Sequence, residues 1–282
     1  MKQITPRREQ RWIYRRASAT YPGDRHAPEC PLVSIITPTR DRQAFHPAIW
    51  NCVRSQEYSN IEWLVEDDSD SHSGFLSSLC DPRVRYVHLA QRQTVGAKRN
   101  SLVSRAKGSY IVHFDDDDYY SPSYVRHIVT QLAESGADIS KLSAYFVYDV
   151  QCERYFYWDQ DDVTSQQFFC KPRLPLAYLP PNPMCAMDHR LGFGFSYAYK
   201  RDIAIRLGFA DINICEDLHF MQRVSNIGTV LFISDDVGLC VHVIHDANLS
   251  GCFPQFVLPQ FMVERMFPHP HVLSANMGPG LR

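Results

Sequence analysis

Short apolar runs that alternate with helical patterns constrain the fold of this chain more than any other feature. Runs of strand length occur at residues 32–37, 61–65, 84–89 and 110–114. Helical spacing or helix-terminus residues follow at 45–53, 94–106 and 122–136, with Thr94 as an N-cap and Gly108 as a stop. Repeated βα units of this kind predict an α/β fold built on a doubly wound, mostly parallel sheet.

The second half of the chain is richer in aromatic residues and in sequence patterns typical of β-strands. Residues 145–158 predict a hairpin, whereas the Pro-rich stretch 159–190 is irregular, as binding loops often are. A run of glycine and aromatic residues at 192–197 precedes helical residues 201–207, and Glu216 opens another helix. We therefore expect a smaller, mixed β subregion beside the parallel sheet.

The composition is that of a globular chain, with 45% hydrophobic and 21% charged residues among 282. No stretch approaches the ~18 apolar residues that span a bilayer, and the Arg-rich start lacks the apolar core of a signal peptide. We expect a cytoplasmic location, with peripheral contact at the inner membrane face left open. The nine cysteines contain no CxxC pair and are expected to be reduced thiols.

Charge is distributed unevenly along the chain. Residues 1–28 hold seven of the 29 basic and two of the 31 acidic side chains, so this segment carries +5 and the remainder −7. We expect a basic N-terminal arm at 1–28 that lacks helical or strand periodicity and orders only against another surface, a domain at 29–250, and a tail at 251–282. The tail is expected to pack on the body, a second subunit or a membrane. A solvated or dimer-exchanging arm is favoured over a nucleic-acid-binding one, so no nucleic acid partner is expected.

Four consecutive aspartates, Asp115 to Asp118, follow a buried strand. Carboxylates within ~4–6 Å of one another raise each other's pKa and oppose folding unless a cation neutralises them. Mg²⁺ and Mn²⁺ are suitable cations because they prefer oxygen ligands. Alternation along an extended backbone would place Asp115 and Asp117 on one side and Asp116 and Asp118 on the other. A solvated acidic turn is the alternative.

A second acidic pair, Glu66 and Asp67, ends a neighbouring strand. Ligands of doubly wound sheets bind beyond the carboxyl ends of the strands, so a carboxylate here could accept from a base or a ribose. An Asx-turn or a helix cap is the alternative. Lys98 and Arg99 could meet a diphosphate, although an exposed Lys-Arg pair on a helix is common. The patterns GxxxxGK[ST] and GxGxxG are absent.

Glu216 and Asp217 stand at a predicted helix start, where the helix dipole favours ionised carboxylates. A carboxylate of this kind is a candidate general base if a hydroxyl can approach to ~3 Å. An ordinary charge pair at a helix N-terminus is the alternative. His242 and His245 are weak evidence for zinc, but either could serve a metal held mainly by carboxylates.

Several motifs occur in a characteristic order. VSIITPT at 33–39 is followed by Ser55-Gln56 and by VEDDS at 65–69. Gly96 with Arg99-Asn100, Ala106-x-Gly108-x-Tyr110-Ile111, FDDDDY at 114–119, Pro122 and Glu216-Asp217 complete the set. This order resembles family 2 of the glycosyltransferases, the inverting GT-A type, over residues 31 to about 250. Glu66-Asp67-Asp68 departs from the family's usual Asp-Asp-Gly or Asp-Asp-Asn.

The resemblance implies a GT-A, Rossmann-like fold with a nucleotide-binding half at 29–136 and an acceptor half at 137–250. The residues implied in binding a nucleotide sugar are Thr37, Pro38, Thr39, Arg40, Glu66, Asp67, Gly96, Lys98, Arg99, Asp115 and Asp116. Asp67 would accept from the base, and Lys98 or Arg99 would lie near the base or diphosphate. Mn²⁺ or Mg²⁺ would bind Asp117, with Asp115 and with His245 of a late His-x-x-Asn-x-Ser element.

The implied activity is metal-dependent, inverting transfer of a sugar from a nucleotide-diphosphate sugar, in the first place a UDP-sugar, to a carbohydrate or other hydroxyl acceptor. Asp217, paired with Glu216, would be the general base. By their position in or beside the 159–195 loop, the candidate acceptor contacts are Trp158, Asp188, His189 and Phe193. A metal-dependent phosphohydrolase and a non-catalytic nucleotide- or glycan-binding module stay open as alternatives, as does a homodimer.

Overall fold

The structure, a computed structural model, describes residues 11–17, 30–181, 186–248 and 250–267, with only the backbone for 186–188. Its strands are β1 (Arg11–Arg16), β2 (Val33–Thr39), β3 (Ile61–Asp67), β4 (Val84–His88), β5 (Tyr110–His113), β6 (Tyr119–Tyr120), β7 (Ile139–Asp149), β8 (Arg154–Asp159), β9 (Gln167–Phe169), β10 (Ala177–Leu179), β11 (Ala198–Lys200), β12 (Thr229–Ser234), β13 (Cys240–Ile244) and β14 (Phe256–Leu258). Its α-helices are α1 (His46–Arg54), α2 (Gly74–Ser77), α3 (Val95–Arg105), α4 (Tyr124–Ser135), α5 (Ala186–Leu191), α6 (Arg201–Leu207), α7 (Glu216–Ile227) and α8 (Gln260–Met266).

The main sheet confirms the predicted doubly wound, mostly parallel α/β fold. Its strands lie in the order β1-β12-β7-β11-β5-β2-β3-β4. The pairs from β5 to β4 are parallel, and so are β7 with β12 and β12 with β1. Within this series β11 alone runs antiparallel, to β5 on one side and to β7 on the other. The carboxyl ends of the parallel strands therefore share one edge, where ligands of such sheets bind.

A smaller mixed β subregion extends from the far end of β7, as expected. The second half of β7 pairs antiparallel with β8 and parallel with β13. β14 pairs antiparallel with β8, and β6 pairs antiparallel with β13. Because β6 directly follows the four aspartates, this subregion is tied to the ligand edge of the main sheet.

Alternation along the buried strands produces two apolar cores, one on each face of the sheet. On β2, Ile35 belongs to the core covered by α1 and α4, whereas Ile36 belongs to the core covered by α3, α6 and α7. Both residues are fully buried. A strand that is buried on both faces has a nearly continuous apolar sequence. For this reason the sequence pattern predicted these strands well.

Local signals account for most helix boundaries. Thr94 caps α3 by accepting from the Ala97 amide, as predicted, and Gly136 ends α4 in the left-handed conformation at φ 68°. The Pro122 signal is displaced by two residues, because α4 begins at Tyr124. Among the helices in the described ranges, none is both long enough and apolar enough to cross a bilayer.

The two ends of the described chain pack on the sheets. Residues 11–16 form the edge strand β1, paired in parallel with β12. This segment has no strand periodicity of its own, and its strand conformation depends on hydrogen bonds to the free edge of β12, which the local sequence pattern does not reveal. Phe267 is buried against Tyr119 and Phe146. The remainder of the arm and residues 268–282 lie outside the described residues.

Candidate active site

The four aspartates form a turn at the ligand edge of the sheet, between β5 and β6. The Asp118 amide donates to the Asp115 carbonyl at 3.5 Å, so the backbone is not extended here. The predicted two-sided alternation is consequently wrong, because Asp116 and Asp117 both face the Arg42 guanidinium. We call Asp115–Asp118 the acidic turn, and each of its carboxylates has its own set of partners.

Arg42 is the cation that the sequence analysis missed. It ion-pairs with Asp117, and its Nη1 lies 3.4 Å from Asp116 Oδ1. Its Nη2 donates to the Ala247 carbonyl at 2.8 Å. One guanidinium thus connects the loop after β2 to the acidic turn and to the segment after β13.

His245 and Asn248 approach Asp117 from the other side. His245 Nε2 lies 3.0 Å and Asn248 Nδ2 lies 3.2 Å from the same oxygen, Asp117 Oδ2. Since His245 Nδ1 accepts from the Ala247 amide at 3.2 Å, the neutral ring carries its proton on Nε2 and donates it to Asp117. The Asn248 side chain also accepts from the His245 amide at 2.6 Å, which gives the His-x-x-Asn spacing a structural reason.

The surroundings of the neighbouring carboxylates Asp116 and Asp117 shift their pKa values in opposite directions. Burial alone would raise the pKa of Asp117, but Arg42 and the hydrogen bond with His245 hold it well below its ordinary value. Burial raises the pKa of Asp116 to about 7, against the opposing effect of Arg42. Asp117 is therefore the carboxylate kept ionised for a cation.

Asp118 points away from the ligand edge and holds the subregion in place. Both of its carboxylate oxygens lie within 3.0 Å of His242 Nδ1, and Oδ1 accepts from the Val243 amide at 2.9 Å. Burial raises the pKa of Asp118 to about 6, opposed by His242. Of the two histidines considered for a metal, His242 therefore serves β13 and His245 faces the ligand edge.

Arg99 joins the acidic turn to the second predicted acidic pair. Its Nη2 lies 3.3 Å from Asp115 Oδ1, and its Nε lies 3.3 Å from Glu216 Oε1. Arg99 is 3% exposed, and its Nη1 lies 2.8 Å from His113 Nδ1. The Arg99 guanidinium is engaged between α3, the acidic turn and α7, so the predicted contact with a base or diphosphate would require one of these ion pairs to open.

Asp217 occupies the first turn of α7. Its Oδ2 accepts from the Gly194 amide at 2.7 Å, and its Oδ1 accepts from the Leu218 amide at 2.7 Å. Cys215, in the left-handed conformation at φ 65°, turns the chain into the helix. Glu216 is 6% exposed and its carboxylate is ion-paired with Arg99, whereas Asp217 is only half-buried and lacks a cationic partner among the described residues.

The end of β2 contributes Thr39 but not Thr37. The Thr39 hydroxyl donates to Asp116 and lies 3.3 Å from His46 Nε2. Thr37 is fully buried inside the sheet, where it donates to the Phe114 carbonyl at 2.8 Å. The expectation that Thr37 lines a pocket is therefore wrong. Pro38 is half-buried, and Arg40 is exposed with a loose 3.9 Å pair to Asp41.

The side chains at the end of β3 are buried and engaged within the chain. Asp67 accepts from the Ser69 amide at 2.9 Å and from the Tyr86 hydroxyl at 2.8 Å. Glu66 lies on the opposite face, where Ser101 donates to it at 2.5 Å. A base contact by Asp67 would thus require one of its internal hydrogen bonds to open.

Lys98 and Gly96 hold α3 rather than facing open space. Lys98 Nζ donates to Asp68 at 2.6 Å and to the Thr39 carbonyl at 2.8 Å, which ties the ends of β2 and β3 together. A Cβ at Gly96 would lie 1.8 Å from the Ala210 carbonyl oxygen, so glycine allows α3 to touch the loop before α7. A ligand contact by Lys98 would therefore require one of these two hydrogen bonds to open.

The aromatic acceptor candidates form one packed cluster. Trp158 is 1% exposed and contacts Phe193 and His189 edge-on, at centroid distances of 4.7 and 5.5 Å. His189 stacks on Phe253 at 4.8 Å. Stacking of a sugar on Trp158 is contradicted by this burial, because the ring offers no free face. Asp188 lies in α5, and its side chain is outside the described residues.

The donor atoms at Asp117 and His245 fit a divalent cation that arrives with a ligand. Among the described residues, no three His, Cys, Asp or Glu side chains already converge on a common point. Carboxylate oxygen and imidazole nitrogen nevertheless suit Mn²⁺, and Mg²⁺ is usually held by one or two carboxylates with phosphates completing its shell. Asp115 is turned toward Arg99, so Asp117 and His245 are the residues that would hold the ion, and His245 would do so once its proton had moved from Nε2 to Nδ1 and its bond with the Ala247 amide had opened.

Solved structures of similar fold are GT-A glycosyltransferases. A mannosyltransferase from Pyrobaculum calidifontis, in complex with GDP-Man and Mn²⁺, aligns with a TM-score of 0.54 at 18% identity, over 77% of this chain and 59% of that chain. Staphylococcus aureus TarS in complex with UDP-GlcNAc aligns with a TM-score of 0.57 at 14% identity, over 77% and 60%. The fold and the carboxylates at its ligand edge thus define the GT-A class.

Sequence comparison identifies the family. Residues 34–200 match the model described as Glycosyl transferase family 2, and the chain belongs to this family. WcaA of Escherichia coli strain K12, named as a colanic acid biosynthesis glycosyl transferase, is 29% identical over 61% of this chain. The glycosyltransferase GlyG of Streptococcus pneumoniae is 28% identical over 49% of it. The chain spans about half the length of these relatives, 54% and 45%.

Proposed function

We propose that this chain transfers a sugar, with inversion, from a nucleoside diphosphate sugar to an acceptor hydroxyl, using Mn²⁺ or Mg²⁺ and Asp217 as general base. The observation that carries this proposal is the double ion pair of Arg99, which lies 3.3 Å from both Asp115 and Glu216. It brings the start of α7 beside the acidic turn. A displacement at an anomeric carbon needs the base and the leaving-group site next to each other in this way.

The contacts of the acidic pair favour Asp217 over Glu216 as the base. Glu216 is committed to Arg99, and burial raises the pKa of its carboxyl against the pull of that arginine. Asp217 is held by the amides of Gly194 and Leu218, which fix its orientation without an ion pair to a lysine or arginine among the described residues. Its position in the first turn of a twelve-residue helix places it on a rigid element.

The reaction balances with these groups. Asp217 takes the proton of the acceptor hydroxyl, and the acceptor oxygen forms a bond to the anomeric carbon. The bond from that carbon to the diphosphate oxygen breaks on the opposite face, and the nucleoside diphosphate leaves with the bonding electrons. When bound by Asp117 and His245, a divalent cation supplies positive charge that stabilises the leaving diphosphate.

A UDP-sugar is the first donor to test, and a GDP-sugar is the second. The Staphylococcus protein of similar fold binds UDP-GlcNAc, and the Pyrobaculum protein binds GDP-Man. Thr39 and Asp116 lie together at the ligand edge, where Thr39 donates to Asp116. These two side chains are proposed to bind the ribose hydroxyls. The acceptor is proposed to approach from the side of Phe193 and Asp217.

Release of UDP and GDP from a panel of sugar donors, with Mn²⁺ and candidate acceptors, tests the proposal. Asp217→Asn should lower turnover by ~10²–10⁴-fold with donor KM little changed, because it removes proton transfer but not donor binding. Asp117→Asn should lose Mn²⁺-dependent nucleotide binding. Glu57→Gln, an exposed acid loosely paired with Arg126 at 3.9 Å, is the matched control and should behave as wild type.

Two results would contradict the proposal. Normal turnover by Asp217→Asn would show that Asp217 is not the general base, but it would not contradict the transferase class. Absence of UDP and GDP binding to the wild-type chain in the presence of Mn²⁺ or Mg²⁺ would remove the donor and metal assignments together.

A further inference from the structure

Arg42 is a half-buried cation at the centre of the site, and the proposed reaction does not yet use it. Its guanidinium contacts Asp116, Asp117 and the Ala247 carbonyl, and its side chain is only 19% exposed. The loop that carries it leaves the carboxyl end of β2, which places it at the ligand edge of the sheet. The three contacts belong to two separate segments, the acidic turn and the segment after β13.

The charged end of Arg42 is held by polar contacts and by the ring of Phe45. The guanidinium carbon lies 5.9 Å from the ring centroid of Phe45, which is buried and packs on His245 at 4.9 Å. Burial works against the charged guanidinium, yet Asp117 and Asp116 raise the pKa of Arg42 above its ordinary value. The side chain is therefore a permanent cation on an anchored loop, and its charged end can exchange one set of anions for another.

Arg42 and a divalent cation would compete for the same carboxylate. Asp117 Oδ2 receives Arg42 Nη1, His245 Nε2 and Asn248 Nδ2. Two of these groups, Asp117 and His245, are the residues that fit a metal. A metal ion bound to both would repel the guanidinium, because two cations would share one oxygen in a partly buried site.

We propose that Arg42 is the resident counter-cation of the acidic turn, which a divalent ion displaces from Asp117, and that the released guanidinium then binds the diphosphate of the donor. This inference rests on the proposed function, since it assigns Arg42 to the donor of that reaction. The planar guanidinium suits the chemistry, because it can bind two phosphate oxygens side by side. Arg42 would thus make metal binding weak without nucleotide and strong with it.

Binding of Mn²⁺ alone, followed through the electron paramagnetic resonance signal of free Mn²⁺, tests the displacement without requiring turnover. Arg42→Gln should bind Mn²⁺ at least ~10-fold more tightly than wild type when no nucleotide is present. Arg54→Gln is the matched control for loss of one positive charge, since Arg54 is exposed and donates to Asn51 on its own helix at 2.8 Å. It should bind Mn²⁺ as wild type does.

Addition of UDP or GDP tests the second half of the proposal. The gain in Mn²⁺ affinity on adding nucleotide should be at least ~10-fold larger for wild type than for Arg42→Gln, because only wild type supplies the released guanidinium. Arg42→Lys should lie between them, since an ammonium keeps the charge but lacks the planar fork. It also provides a folded comparison if Arg42→Gln is unstable.

Equal Mn²⁺ affinities of wild type and Arg42→Gln without nucleotide would overturn the displacement, and an equal gain on adding nucleotide would overturn the diphosphate contact. Absence of Mn²⁺ binding by every variant would overturn this inference and the proposed metal dependence together. If the Arg42 effects appear but no sugar donor is consumed, the inference stands and the proposed transferase activity fails.

Discussion

At the scale of single residues, Lys141 has the most unusual environment among the described side chains. It lies on β7 with no exposed surface, and its ammonium donates to Gln160 at 2.9 Å and to the carbonyl of Gly192 at 2.6 Å. A third contact reaches the His189 carbonyl at 3.4 Å. Burial lowers the pKa of Lys141 to about 7, while the Asp217 carboxylate opposes that fall. Lys141 therefore fixes the turn whose Gly194 amide holds Asp217.

Lys141→Met tests this positioning role. We expect the free energy of unfolding to fall by about 2 kcal/mol, because the substitution leaves buried acceptors without a donor. We also expect kcat to fall more than donor KM rises, because the turn that holds Asp217 loses its anchor. Urea unfolding and steady-state kinetics measure the two effects, with the exposed Lys107→Met as control. Unchanged stability would show that Lys141 does not hold the turn.

The residue scale also shows what could be predicted at the site. Asp117, Asp217 and His245 were predicted because each belongs to a short motif with a recognisable neighbourhood. Arg42 was missed because its partners Asp117 and Ala247 lie far away in sequence, and because Arg40 occupies the same loop. Local pattern cannot distinguish two arginines in one loop when only the tertiary fold brings one of them to the acidic turn.

At the scale of elements, a close approach joins the 3-10 turn Gly194–Ser196 to α7. A Cβ at Gly194 would lie 2.7 Å from Asp217 Cβ and 3.1 Å from its Oδ2. The preceding Phe193 has a left-handed backbone at φ 64°, so the chain makes a sharp turn to present the Gly194 amide. This element contact sets the position of the proposed base.

Gly194→Ala should displace Asp217 and lower kcat by at least about tenfold, with donor KM and Mn²⁺ affinity near wild-type values, because the donor side is untouched. Gly74→Ala is the matched control, since a Cβ at Gly74 meets nothing within 4 Å. Parallel loss of kcat in both variants would indicate a general effect of added methyl groups, and full activity of Gly194→Ala would contradict the contact.

Elements with strong local signals were predicted well, and those that depend on a distant partner were not. The helix α3 carries its own cap in Thr94, and β2 and β3 are apolar runs buried on both faces. β1 has neither property, since its exposed and half-buried residues carry three arginines. Its strand conformation depends on the hydrogen bonds of β12, which no pattern within residues 11–16 encodes.

At the scale of the whole molecule, the buried and neutral side chain of His46 predicts that the folded chain loses stability in acid. His46 is 1% exposed, with Nδ1 2.8 Å from the Ser73 hydroxyl, and burial lowers its pKa to about 4 against the opposing effect of Asp67. The unfolded chain binds the proton near pH 6.5, whereas the folded chain does not. This contribution to stability is therefore complete above pH 6.5 and is lost as the pH falls toward 4.

Comparison of wild type with His46→Gln by urea unfolding between pH 7 and pH 4 measures that contribution. Wild type should lose up to about 3 kcal/mol more than the variant over this interval, the equivalent of the pKa difference. The exposed His72→Gln should retain the wild-type slope. Parallel curves for wild type and His46→Gln would show that other groups, such as the buried carboxylates, dominate the acid response.

The parallel pairing of β1 with β12 has a consequence for how the chain is made. During synthesis, residues 11–16 are made before the strands β2 to β5 and the acidic turn, and their partner at 229–234 is made after them. Contacts between segments so far apart in sequence raise the contact order and slow folding. Until β12 has been made, β1 has no partner strand, and its open edge favours association of the nascent chain with other chains.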